Sequence, residues 1–142
     1  MRTRTTTWFE CKIRYEKMME DGMQKKVTEL YVVDALSFTE AEKTITEEMS
    51  AYISGEFEVR DIKKAPYGEI FFSEDASADR FFKAKLQFIT IDEKTEKEKR
   101  SNVNYLVHAN TFNQAVANID KVMGTTAIDY VIASVAENDK FI

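Results

Sequence analysis

Two stretches decide the fold: YVVDALSFTEAEKTI, residues Tyr31–Ile45, and YLVHANTFNQAVANI, residues Tyr105–Ile119. They begin 74 residues apart, at positions 31 and 105, and six of their 15 positions hold the same residue. Each begins with alternating apolar residues, which is typical of a strand with one buried face. Each then changes to a helical spacing of apolar residues. The sequence therefore predicts one strand–helix unit that occurs twice.

Each helix is predicted to begin with a capping box, Ser37 with Glu40 and Thr111 with Gln114. In this motif the hydroxyl accepts a hydrogen bond from a helix amide, and the Glu or Gln side chain reaches back to the cap residue. Apolar residues then follow one stripe of each helix. The stripes comprise Phe38, Ala41, Ile45 and Met49 in the first copy, and Phe112, Ala115, Ile119 and Val122 in the second.

Further strands surround both helices. Trp8–Tyr15 and Phe81–Phe88 alternate between apolar and polar residues, and hairpins join them to the second strands. A third strand is expected after each helix, and a turn at Pro66 leads into a short extra strand, Glu69–Phe72. The inward faces of the first strands match: Phe9, Cys11, Ile13 and Tyr15 correspond to Phe82, Ala84, Leu86 and Phe88.

These patterns predict an α+β fold made of two tandem ββαβ repeats that form a pseudo-dimer. The repeats span residues 8–72 and 80–142, residues 73–79 connect them, and residues 1–142 form a single domain. We expect a mainly antiparallel sheet of about six strands with two helices on one side. A right-handed crossover would place the first strand of each repeat centrally. A closed or half-closed barrel is the alternative.

The composition favours a compact protein with a mildly acidic surface. The chain has 142 residues, is 44% hydrophobic and carries a formal net charge of −5. A general basic surface is therefore excluded, whereas a local basic patch is not. The start of the chain lacks the apolar core of a signal peptide, and no apolar run approaches the about 20 residues that cross a bilayer. We expect a cytoplasmic protein without a membrane partner.

Three segments resemble a domain family of unknown function: residues Phe9–Glu42, Ile53–Phe72 and Ala78–Thr95. That family occurs in Bacteroidetes genomes, their mobile elements and their phages. The resemblance covers nearly the whole chain after residue 7, and residues 1–7 depart from the usual start. It implies no activity. It implies only a context, that of small accessory proteins carried beside phage or mobile-element replication genes.

The outward face of the first strand in each repeat is the candidate ligand-binding surface. Aromatic rings interleaved with cations on an open sheet can hold single-stranded nucleic acid, because bases stack on the rings and phosphates pair with the cations. The alternative is an ordinary solvated face, and Glu10 and Glu16 weaken the electrostatic argument. The candidate residues are Trp8, Lys12 and Arg14 in the first repeat and Phe81, Lys83 and Lys85 in the second.

The same surface has a second interpretation. Leu30, Val32 and Leu106 are expected to face away from the helices. Together with Trp8 and Phe81 they would form an apolar patch larger than a monomer usually exposes. Such a patch would suit a homodimer or a phage or host protein partner, unless it is the contact between the two repeats.

No motif indicates an enzyme. The only histidine, His108, has no neighbouring cysteine or carboxylate at metal-ligand spacing. Cys11 lies on the predicted inward face, where a cysteine behaves as a small apolar residue. Nucleotide-binding and zinc-protease motifs are absent from the sequence. We therefore expect a non-enzymatic binding module without catalytic residues, a cofactor or a metal.

Overall fold

The computed structural model describes residues 2–138, and the side chains of residues 6–138. The chain divides into two compact units, which we call the first unit (residues 6–65) and the second unit (residues 66–138 together with residues 2–5). The elements in chain order are β1 (Arg2–Thr5), β2 (Trp8–Met18), β3 (Gln24–Asp34), α1 (Phe38–Tyr52), β4 (Phe57–Lys64), β5 (Glu69–Phe72), β6 (Arg80–Ile91), β7 (Glu98–Ala109), α2 (Phe112–Met123) and β8 (Asp129–Glu137).

The first unit is a three-stranded antiparallel sheet in the order β3-β2-β4, with α1 packed on one face. Alternation along β2 turns every second side chain toward the helix. The central strand is β2, as the right-handed crossover predicts. The core beneath α1 consists of Phe9, Cys11, Ile13, Tyr15, Val33, Ala35, Ala41, Ile45, Met49 and Ile53.

The second unit is a five-stranded mixed sheet in the order β1-β5-β7-β6-β8. Its parallel pair is β5 with β7. Helix α2 covers one face, and β6 lies between β7 and β8, again as predicted for the first strand of a repeat. The core beneath α2 consists of Phe71, Phe82, Ala84, Leu86, Tyr105, Val107, Ala109, Ala115, Ile119 and Met123.

Corresponding strands pair in the same register in the two units. Phe9 lies opposite Val33 in the first unit, and Phe82 lies opposite Val107 in the second. The pairing with the third strand is also interrupted at the same place, after Lys12 and after Lys85. Each interruption inserts one extra residue, which locally increases the twist of the sheet.

The expected single sheet of about six strands is wrong. Within residues 2–138 the strands form two separate sheets. The short strand after Pro66 lies at Glu69–Phe72, as predicted. Its pairing explains why the strands do not join into one sheet. It pairs with β7 in the second unit, and β1 then pairs with it. These strands occupy the outer edge of β7, and the unit boundary falls after residue 65 rather than after residue 72.

Both helix caps form, but neither closes the predicted box at the amide of the cap residue itself. The Ser37 and Thr111 hydroxyls each accept a hydrogen bond at 3.1 Å, from the amides of Glu40 and Gln114. The Glu40 side chain reaches back and accepts from the Leu36 amide at 3.1 Å. The Gln114 side chain instead donates to Asn118 at 2.8 Å. The second box is therefore a simple hydroxyl cap.

The helix stripes differ from the prediction at their ends. Phe38 and Phe112 are more than half exposed and contact the cores edge-on, against Phe9 and Phe82. In α2 the last buried position is Met123, whereas Val122 is half-buried. Neither helix in the described part of the chain is long and apolar enough to cross a membrane.

Candidate nucleic-acid interface

The face of the second sheet that points away from α2 carries an exposed polar surface. Phe82, Ala84 and Leu86 pack beneath the helix, so the residues between them point to the opposite side. Lys83 and Lys85 are exposed there. Both lysines therefore lie on a face that the helix leaves uncovered, as the sequence predicts.

Strand β7 adds side chains of complementary chemistry to this face. Lys85 lies opposite Asn104, and Gln87 lies opposite Asn102. The neighbouring positions on β8 are Ser134, Val131 and Ala136. Between positions 83 and 87 of β6, this face therefore contains no carboxylate in β6, β7 or β8. We call Lys83, Lys85, Gln87, Arg100, Asn102 and Asn104 the amide–cation patch.

Hydrogen bonds join part of the patch into a ladder. Arg100 donates through Nε to Glu98 at 3.4 Å and through Nη1 to the Gln87 carboxamide oxygen at 3.3 Å. Gln87 in turn donates through Nε2 to Asn102 Oδ1 at 3.3 Å. The ladder crosses between two strands and restrains the side chains that would meet a ligand.

An aromatic pair lies at one end of this face. The rings of Phe81 and His108 stack with centroids 4.7 Å apart, and both side chains are half-buried. The His108 Nδ1 accepts a hydrogen bond from the Ser73 amide at 3.3 Å. Accepting at Nδ1 places the ring proton of the neutral imidazole on Nε2. His108 is thus held by a hydrogen bond from the backbone, while part of its side chain is exposed.

The equivalent face of the first sheet has a different charge pattern. Lys12 is exposed but lies opposite Asp61, and half-buried Arg14 lies opposite Glu58. A cleft of about 550 Å³ on this face is lined by Arg14 and Lys26 but also by several glutamates. These glutamates are Glu16, Glu56 and Glu58. Cations and carboxylates alternate here, which reduces the attraction for a polyanion.

Trp8 does not form the open aromatic surface that its position in the sequence suggests. Its side chain is only 5% exposed, and the side chain of Glu10 is 1% exposed. The prediction that Trp8 points outward into solvent is therefore wrong. Alternation separates the two faces of a strand, but it does not show whether the second face is also covered. The ring of Trp8 is therefore not accessible to a stacking base in this structure.

The predicted apolar patch is also largely inaccessible. Leu106 is fully buried, and Leu30 and Val32 are half-buried. Leu106 is flanked by Ile70 of β5, which is likewise buried. The prediction of a large exposed patch that includes Leu106 is wrong, because β5 adds an apolar neighbour at this position.

The other candidate reactive groups are structural. Cys11 is fully buried. Burial, followed by the nearby carboxylates of Asp61 and Glu10, raises the pKa of its thiol to about 11. A protonated, inaccessible thiol is a poor nucleophile. Within residues 2–138, no group of three or more potential metal ligands converges.

Sequence reasoning missed Arg100, Asn102 and His108 as neighbours of the predicted lysines. The dense charge of the run Asp92–Arg100 is typical of a solvated hairpin loop, whereas β7 begins at Glu98. Continuing the alternation of Val103, Tyr105 and Val107 backwards along the chain would have placed Arg100, Asn102 and Asn104 on the opposite face. The alternating pattern of β7 is therefore visible in the sequence, but its first residues overlap the charged run.

Comparisons with known proteins identify a family but no activity. A family model described as a domain of unknown function (DUF4494) matches residues 7–140. No curated protein and no solved structure matches the chain. The family match covers both units that the structure describes. The chain therefore belongs to the DUF4494 family of unknown function.

Proposed function

We propose that this protein is a non-enzymatic binding module that holds single-stranded nucleic acid on the amide–cation patch of its second unit. The observation that carries the proposal is exposed Lys85, on a stretch of sheet face where β6, β7 and β8 place no carboxylate between positions 83 and 87. Lys83 lies next to it along β6, whereas Arg100, opposite Ile89, is already paired with Glu98. Phosphates are attracted to such a surface despite the overall charge of −5, because local charge dominates at short range.

The aromatic pair supports a nucleic acid over another polyanion. Phe81 is half-buried and lies next in line to Lys83 on the same face. A base stacked on an aromatic side chain typically gains about 1–3 kcal/mol, whatever the base. The first unit contributes less, because its cations Lys12 and Arg14 lie beside carboxylates and Trp8 is buried.

The family resemblance of the sequence supports a role beside phage or mobile-element genes. We place the protein among the accessory factors of phages or mobile elements in Bacteroidetes. The matching register of the two units supports an origin by duplication of one ββαβ unit. The pseudo-dimeric packing of the two copies stays a prediction. After duplication, one copy is free to change its surface while both keep the same core pattern.

A salt titration tests the proposal. Fluorescence anisotropy of a labelled oligo(dT) of about 15 nucleotides should rise on addition of the protein at low salt, and affinity should fall steeply as salt increases. The Lys85→Gln variant should bind more weakly. Its plot of log affinity against log salt should be shallower by about 0.7, because one phosphate contact is lost.

The matched control is Lys121→Gln, which makes the same charge change on the exposed surface of α2, away from the patch. It should leave the salt slope unchanged. An absence of binding at low salt contradicts the proposal. Equal effects of the two substitutions contradict the assignment to this face, because general charge would then explain the attraction.

The second candidate function is protein association through the first unit. Leu30 and Val32 lie on the face opposite α1 and keep part of their apolar surface exposed, and a homodimer or a phage or host protein partner would cover that remaining part. Val32→Asp should abolish self-association in sedimentation experiments while the far-ultraviolet circular dichroism stays native. Leu106→Asp is unsuitable for this test, since Leu106 is fully buried. A monomeric wild-type protein at high concentration contradicts the homodimer.

A further inference from the structure

The donors and acceptors in the hydrogen-bond ladder of the amide–cation patch are arranged in one order, because Arg100 can only donate. Arg100 has only N–H donors, so Gln87 must present its carboxamide oxygen to it. The Gln87 amide nitrogen is then turned toward Asn102, which must present its own oxygen in return. Glu98, an acceptor only, holds Arg100 from the other side. The two hydrogen bonds between Arg100 and Asn102 therefore point the same way, from Arg100 through Gln87 to Asn102.

This direction determines what the ladder offers to a ligand. The oxygens of Gln87 and Asn102 are already engaged within the ladder, whereas Asn102 keeps both N–H groups of its terminal amide outside it. Gln87 keeps one further N–H. The ammonium group of neighbouring Lys85 adds donors and no acceptor. The end of the patch around Gln87 and Asn102 therefore presents mainly donors.

We infer that the ladder makes this face select thymine or uracil over cytosine and adenine. The inference rests on the proposed binding of single-stranded nucleic acid. Thymine and uracil present a carbonyl oxygen where cytosine and adenine present an amino group, which is a donor. A donor that meets the donors of Asn102 and Gln87 finds no acceptor there, so the hydrogen bond that thymine or uracil makes is lost.

A comparison of two pyrimidine oligonucleotides tests the inference. Oligo(dT) and oligo(dC) of about 15 nucleotides have the same charge and the same ring size, so phosphate contacts and stacking change little between them. Competition anisotropy at fixed low salt should give a preference for oligo(dT) of roughly fivefold, as expected from one net hydrogen bond.

The Gln87→Met variant should remove this preference. Without the Gln87 donor, nothing holds the Asn102 oxygen within the ladder, so the Asn102 amide can rotate to present a donor or an acceptor to either base. Asn102→Ala is a second variant with the same expected result, and its side chain is exposed. Asn113→Met, a similar change on the exposed surface of α2, should keep the preference. Circular dichroism verifies that each variant is folded.

The outcomes separate the inference from the proposed function. Equal affinity for both oligonucleotides in the wild type, with weaker binding of both by Lys85→Gln, overturns the base preference and leaves nucleic-acid binding in place. A preference that persists in both Gln87→Met and Asn102→Ala also overturns the inference. Failure to bind either oligonucleotide, or displacement of oligo(dT) by poly-glutamate of equal charge, overturns both.

Discussion

Phe81 and His108 lie opposite each other on β6 and β7, and their rings stack with planes 20° apart. In the first unit the same register position holds Trp8 and Asp34. Trp8 is buried, whereas Phe81 and His108 are both half-buried. The two units thus share strand pairing at this point but differ in surface chemistry. We therefore propose the second unit as the ligand-binding one.

The helix caps give the first stability prediction. Ser37→Ala and Thr111→Ala should each lower the free energy of unfolding by about 1 kcal/mol, because each leaves a helix amide without its acceptor. Glu40→Ala should also destabilise, since its carboxylate accepts from the Leu36 amide. Urea unfolding followed by circular dichroism measures these changes. Ser54→Ala, at an exposed position, is the control and should change stability by less than about 0.5 kcal/mol.

The second prediction concerns a buried carboxylate in the first unit. The Tyr31 hydroxyl donates to Glu29 at 2.8 Å, and Glu29 is only 7% exposed. Burial, this hydrogen bond and the carboxylate charge raise the pKa of Tyr31, and the same causes raise the pKa of Tyr15. Glu29→Gln removes the negative charge, so both pKa values should fall. An alkaline absorbance titration of the tyrosines measures the shift.

Tyr130 provides the internal control for that titration. Its hydrogen bond to Asp120, 2.6 Å long, raises its pKa to about 12. Asp120→Asn should lower the Tyr130 pKa, whereas Glu29→Gln should leave it unchanged. A titration curve that Glu29→Gln does not alter would show that Glu29 is not the partner of the buried tyrosines.

The third prediction is a pH dependence of stability that arises from Cys11. Burial, with nearby Asp61 and Glu10, raises the thiol pKa from 9.0 to about 11 in the folded protein. The folded state therefore holds this proton more tightly than the unfolded state does. The resulting stabilisation is complete below pH 9 and is lost as the pH rises toward 11. Urea unfolding from pH 8 upward should show a decline that is smaller in Cys11→Ala.

Thiol labelling checks the same claim independently. At pH 8 the folded protein should react with an aromatic disulfide reagent at least about a hundredfold more slowly than the urea-unfolded chain, because its thiolate is scarce and inaccessible. Equal labelling rates in the folded and unfolded states would mean that Cys11 is exposed.

Local pattern was sufficient to predict the elements of each unit. The alternation of Phe9, Cys11 and Ile13 identified the buried face of β2, and the Ser37 cap located the start of α1. The central position of β2 followed from the handedness of crossover connections. These features depend on residues close together in the chain or on a general rule of chirality, which is why sequence alone revealed them.

Features that depend on distant segments could not be predicted in this way. The parallel pairing of β5 with β7 fills the outer edge of β7, and the structure has two sheets where one was expected. Trp8, Glu10 and Leu106 are buried although alternation placed them on the outward face. Period-two spacing reports which residues share a face, but burial of that face depends on what the rest of the chain places over it.

The most direct test of the central claim is an amide NMR titration of the isotope-labelled protein with oligo(dT) at low salt. We expect the largest chemical-shift changes on residues 81–87 of β6 and 98–104 of β7, with small changes on α2 and on β2. Changes centred on the first unit, or an unchanged spectrum at saturating oligonucleotide, would contradict it.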